Sequence, residues 1–153
     1  MAISPLLRNA VESLEHALDH YDLNTDRDRK FAILHADQAV ELILKEKVRR
    51  EKESIYKKDK KTSIGLHEAL SILSQKGVLV PESSDLEMLH DERNRIQHQN
   101  STPDVETTNF HIENAVRFMM RFLAADLGLD LRQTLSAPAY QRFEAFRPPE
   151  SSM

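Results

Sequence analysis

Apolar residues recur three and four positions apart along most of the chain, and the places where that rhythm stops divide it into helices. Leu6, Leu7, Ala10, Val11, Leu14, Ala17, Leu18 and Tyr21 form one stripe. They predict a first helix from Pro5 to Tyr21, with Ser4 as its cap and proline in the first turn. Asn24-Thr25-Asp26 reads as a turn and a second cap, opening a helix from about Arg27 to Lys52. Its middle, Phe31 to Leu44, is apolar nearly all round, as in a helix enclosed by its neighbours. A short helix from Ile64 or Leu66 to Gln75 is expected to stop at a left-handed Gly77. Ser83-Ser84 then cap a fourth long stretch, Asp85 to His98 or Gln99, which Asn100-Ser-Thr-Pro103 breaks. The last long helix, about Asp104 to Leu127, presents Phe110, Ala115, Phe118, Met119, Phe122 and Leu123 on one face and ends at Gly128.

The expected fold is therefore all-α, an up-and-down bundle of four to five helices over residues 1–128. Residues 129–153 form a partly ordered C-terminal tail. That tail has one short helical segment at Leu131 to Leu135. It is expected to pack Tyr140, Phe143 or Phe146 on the body and to fray near its end. With no cysteine, disulfide and thiolate chemistry are excluded. With no leader-like or membrane-length apolar run, a cytoplasmic protein without a membrane partner is expected. His16 and His20 lie one turn apart, but no third ligand is near in sequence, so neither a metal nor a cofactor is expected.

Charge adds a detail that hydropathy misses. Between Lys45 and Lys61 nine Lys/Arg face four acids, a basic arm on a chain whose net charge is -4. Lys45, Arg49, Lys57 and Lys58 are its candidate phosphate contacts, although a solvated helix end followed by a mobile loop gives the same composition. Two further features concern the helix interiors. Asp37, Gln38, Glu41 and Lys45 make a narrow polar stripe on the enclosed second helix. In the fourth, Leu86, Leu89, Arg93 and Ile96 share one side, placing a guanidinium in an apolar seam. A buried ion costs several kcal/mol unless it is paired, so Arg93 is expected to meet Asp37 or Glu41. His35, His90 and His111 read as packed or surface residues.

Arg93, Asn94 and His98, in the stretch Glu92-Arg-Asn-Arg-Ile-Gln-His98, give an Arg-x4-His spacing late on a helix of an all-helical chain. With the acidic but otherwise apolar helix Phe31 to Lys45, this resembles the HEPN superfamily (higher eukaryotes and prokaryotes nucleotide-binding) over roughly Ser4 to Leu127. The resemblance implies a homodimer formed through the motif helix and metal-independent cleavage of RNA. It also implies a toxin or defence effector with a nucleotidyltransferase-type antitoxin as partner. In the branch that such partners modify, a tyrosine commonly stands two residues after the histidine; here that position is Asn100, a departure from that branch's pattern.

The chemistry agrees with these residue types. Without a metal, RNA cleavage needs a base for the 2'-hydroxyl, an acid for the departing 5'-oxygen, and donors for the phosphorane oxygens. Arg93 suits the phosphate, with Asp37 and Glu41 orienting it. His98 suits proton transfer and Asn94 positioning, and Arg95 is an auxiliary phosphate contact. One motif histidine per chain requires two copies to supply an acid and a base. Arg93 and His98 lie about 140° apart on an ideal helix, so they converge only through arginine's reach or a loosened last turn. The competing interpretations are a non-catalytic HEPN module that dimerises or binds a nucleotide or partner, and a plain ion pair between Arg93 and an acid of the second helix.

Overall fold

The computed structural model describes residues 3–147, and among them the protein is all-α. Helix α1 spans Pro5–Leu23 and α2 Asp26–Arg50, joined by the tight turn at Asn24, whose φ of 54° is left-handed. Both caps form where the sequence places them. Ser4 Oγ accepts from the Leu7 N–H at 3.1 Å and Thr25 Oγ1 from the Asp28 N–H at 3.1 Å. Helix α3 (Leu66–Gln75) buries Leu66, Ala69, Leu70 and Leu73, and Gly77 follows at φ 78°. Helix α4 spans Ser83–Gln99, so the two serines lie in its first turn instead of capping it. Helix α5 (Val105–Arg121), capped by Asp104, widens into a π turn at Phe122–Asp126 before Gly128 ends the run at φ 63°.

Helix α2 is the hub, packing on α1, α3, α4 and α5. Ala32, Ile33, Ala36, Ala39, Val40, Ile43 and Leu44 have no exposed surface, which explains why this stretch is apolar on several sides. Ile112, Val116 and Phe118 of α5 and Phe122 of the π turn supply the core, whereas Phe110, expected on that face, is 43% exposed.

The tail belongs to the same core. Helices α6 (Leu131–Thr134) and α7 (Ala137–Glu144) bring Leu135, Ala139 and Phe143 into it, and Arg142 reaches Asp19 and Asp22 of α1. Tyr140 is half-buried beneath the Arg132 guanidinium, and Phe146 packs against Tyr21. Any fraying beyond residue 147 lies outside the described residues.

The segment between α2 and α3, expected as a charged, mobile connection, closes on itself in a turn. Asp59 accepts from the Lys61 and Thr62 N–H groups and the Thr62 hydroxyl, which hold its carboxyl down to about 2. The Ile64 N–H donates back to the Ile55 carbonyl. Much of the basic arm is also spent internally. Lys45 is enclosed between Glu41 (3.2 Å) and Ser63 (3.1 Å), so its assignment to RNA is corrected: its ammonium is a buried structural cation. Arg49 and Arg50 hold Glu46, which has no exposed surface; burial raises its pKa, but their hydrogen bonds outweigh that and lower it. Lys47 and Arg50 also donate to the Asp126 and Leu127 carbonyls at the end of the π turn.

Candidate functional site between the second and fourth helices

Helix α4 packs on α2, α5 and α3, and the residues it buries are Leu86, Leu89, Glu92 and Ile96. The fourth member of the seam is thus Glu92 and not Arg93. Position 92 lies three residues after Leu89 and position 93 four, so helical spacing admits either. Arg95, expected as an auxiliary phosphate contact, donates through Nε to Glu92 at 3.2 Å and keeps about half of its side chain in solvent.

Arg93 stands at the edge of the seam, its side chain 34% exposed. Its Nε is 3.8 Å from Asp37 Oδ2, beyond hydrogen-bond distance, and an Nη donates to Asn94 Oδ1 at 3.1 Å. Asn94 therefore steadies the guanidinium, not the His98 imidazole. Asp37 has a closer partner that sequence reasoning set aside: His90 Nδ1, at 3.1 and 3.2 Å from its two oxygens. Burial pushes the Asp37 carboxyl up from its ordinary value, against the opposing pull of His90 and Arg93. Asp37, Gln38, Glu41, Arg93, Gln97 and Leu34 line a groove of about 310 Å³. Glu41 pairs there with Lys45 and makes no ion pair to Arg93 among the described residues, correcting its expected orienting role.

On the other side of His90 lies His67 of α3. The two rings meet edge to face with centroids 5.5 Å apart, and His67 Nδ1 is 3.7 Å from Glu87 Oε1. The sequence signal for His90 was available, since it lies one turn before Arg93 on the same helix. No local pattern announces His67, which arrives from a different helix.

His98 occupies the last turn of α4 and is exposed. The helix stays regular through Gln99, and only Asn100 turns left-handed, at φ 52°. The expected loosening is therefore absent, and Arg93 and His98 are not brought together within one chain. Lys58 is exposed; Lys57 is half-exposed and 3.6 Å from Glu68.

Elsewhere His16, His20 and His35 cluster across α1 and α2, with His20 and His35 stacked at 5.6 Å. Among the described residues no group of three or more His, Asp or Glu is arranged to hold a metal ion. No described helix is long and apolar enough to cross a membrane. Comparison with known proteins finds no matching family model, no matching curated protein and no matching solved structure.

Proposed function

We propose that this chain is a cytoplasmic HEPN-type endoribonuclease, acting without a metal by attack of a ribose 2'-hydroxyl on the adjacent phosphate. Its products are 2',3'-cyclic phosphate and 5'-hydroxyl ends. The observation that carries this reading is Arg93: a guanidinium held at a groove by one amide and a long ion pair, with a third of its side chain in solvent. A purely structural arginine would be expected to bond its buried carboxylate directly, as Arg49 and Arg50 do with Glu46. Arg93 has donors left for a phosphate oxygen, and imidazoles stand nearby for proton transfer. Lys57 and Lys58, on the exposed loop, supply the remaining phosphate-facing charge.

The outer side of α4, with Glu87, Met88, Asp91 and His98 exposed, is the surface this reading gives to a second copy. A toxin or defence role with a nucleotidyltransferase-type antitoxin belongs to the same proposal. A second reading, a non-catalytic dimerisation or nucleotide-binding module, draws on the regular turn that keeps Arg93 and His98 on different faces.

Incubation of pure protein with RNA in EDTA tests the proposal. Wild type is expected to yield cyclic-phosphate ends, and Arg93→Ala to lose that activity with its melting curve unchanged. Absence of cleavage by wild type refutes the enzyme reading and leaves the module.

A further inference from the structure

The second proton-transfer group is the unsolved part of the ribonuclease reading, because His98 alone requires a second copy across the site. The geometry points to His90 and His67 as an acid–base pair within a single chain, acting on a phosphodiester bound by Arg93. This inference rests on the ribonuclease reading and moves proton transfer from a dimer cleft into one protomer. His98 is then left on the outer face of α4.

Asp37 sets the orientation of His90. With Asp37 ionised, the His90 tautomer that satisfies it carries hydrogen on Nδ1, so Nε2 holds the free lone pair. This is the relation by which a buried carboxylate fixes a catalytic imidazole in its working tautomer. His67 repeats it in looser form, with Glu87 beside its Nδ1 at 3.7 Å. Neither Nε2 has a hydrogen-bond partner among the described residues. His67 is the more exposed of the two, at 60% against 15%, so it suits the acid that must protonate a leaving group and exchange with solvent. His90 faces Asp37 from α2 and His67 from α3, and Arg93 follows it by three residues on α4, sharing the same carboxylate. Asp37 is buried on α2 with both the His90 imidazole and the Arg93 guanidinium of α4 facing it, an arrangement that aligns the two side chains on one carboxylate.

In the step assigned to the pair, His90 Nε2 takes the proton of the 2'-hydroxyl as its oxygen bonds to phosphorus. The bond from phosphorus to the 5'-oxygen breaks, and protonated His67 gives its Nε2 proton to that oxygen. A cyclic phosphate and a 5'-hydroxyl leave, with His90 now protonated and His67 neutral, and proton exchange with solvent resets both. No co-reactant is needed.

The experiment uses the full chain, EDTA and a fluorogenic oligonucleotide containing one ribonucleotide. His90→Gln retains an amide donor for Asp37, and His67→Gln alters an exposed ring, so neither should disturb the fold. Each is expected to lower kcat/KM by about a hundred-fold or more, the scale of a lost acid or base. His90→Gln should flatten the acidic limb of the pH profile and His67→Gln the alkaline limb, a change that structural damage would not produce. An equal mixture of the two variants should stay inactive, because each chain lacks one group. Both variants within a few-fold of wild type with unchanged pH limbs, while His98→Ala is inactive, would overturn the pair and return proton transfer to His98. Recovery of activity on mixing would overturn its placement in one chain. An inactive wild type defeats the ribonuclease reading itself, and this inference with it.

Discussion

Replacing Asp37 with asparagine separates the cost of burying a charge from the value of its partners. The Asp37 side chain is 6% exposed and interacts with one imidazole and one guanidinium. At an effective dielectric near 20 a unit charge 3.8 Å from Arg93 gains about 4 kcal/mol. A hydrogen bond to a charged group adds about 1.5–3 kcal/mol. Removing the carboxylate from water costs several kcal/mol, and burial, together with the nearby Glu41 carboxylate, holds the Asp37 pKa above its ordinary value despite the two attractions. An asparagine side chain there would keep the shape and the acceptor for His90 Nδ1 while removing the charge.

Asp37→Asn should therefore change stability by less than about 1 kcal/mol, or raise it slightly, near neutral pH. Asp37→Ala, which strands His90, should lose about 1–3 kcal/mol. The sign with pH follows from linkage. A carboxyl raised above its unfolded value of 3.8 contributes stability that is present below that value and is lost as pH rises through the folded pKa. Wild type should thus compare worst with Asp37→Asn at neutral pH and improve relative to it on acidification. Urea unfolding of both proteins at about pH 7 and about pH 4, followed by circular dichroism, reads the difference. A loss above about 3 kcal/mol for Asp37→Asn at neutral pH would refute the reasoning, since the charge would then be a net stabiliser.

Two other perturbations follow from the packing. His35 and His111 have their pKa lowered by burial, so the unfolded chain binds more protons below about pH 6.5; urea midpoints should fall on acidification from there, and less so in His35→Phe. Phe143 has no exposed surface, so Phe143→Ala should cost about 3–5 kcal/mol in the same assay. A loss under about 1 kcal/mol would show that α7 does not share the core.

The helices were legible because their signals are local. Ser4, Thr25 and Gly77 act on residues within one turn, and Leu66, Ala69, Leu70 and Leu73 repeat with the period of the element they form. The body–tail division was less so. Residues 129–147 carry only short helical stretches, with Pro138 among them, yet Leu135, Ala139 and Phe143 join a core whose members run from Leu7 to Leu127. Spacing could not say whether Lys45 points at solvent or at Ser63, eighteen residues on, because that depends on how the intervening loop closes.

The same limit explains the candidate site. Periodicity resolves a helix face to about one residue's turn, 100°, which is the interval between Glu92 and Arg93. Pairing decides between them: Glu92 is buried with Arg95 as its ion-pair partner on the adjoining turn, while Arg93 is drawn to the groove by Asp37 and Asn94. Once Arg93 is at the groove edge, His90 must lie close to the same carboxylate, since three residues of helix separate them. The Arg-x4-His spacing directs attention forward along α4, to a histidine facing solvent. The contacts lead one turn backward and across to α3, where two imidazoles meet. A linear motif specifies residues on one helix, but acid and base need only share one phosphate, and side chains from different helices meet that requirement without a shared sequence signal.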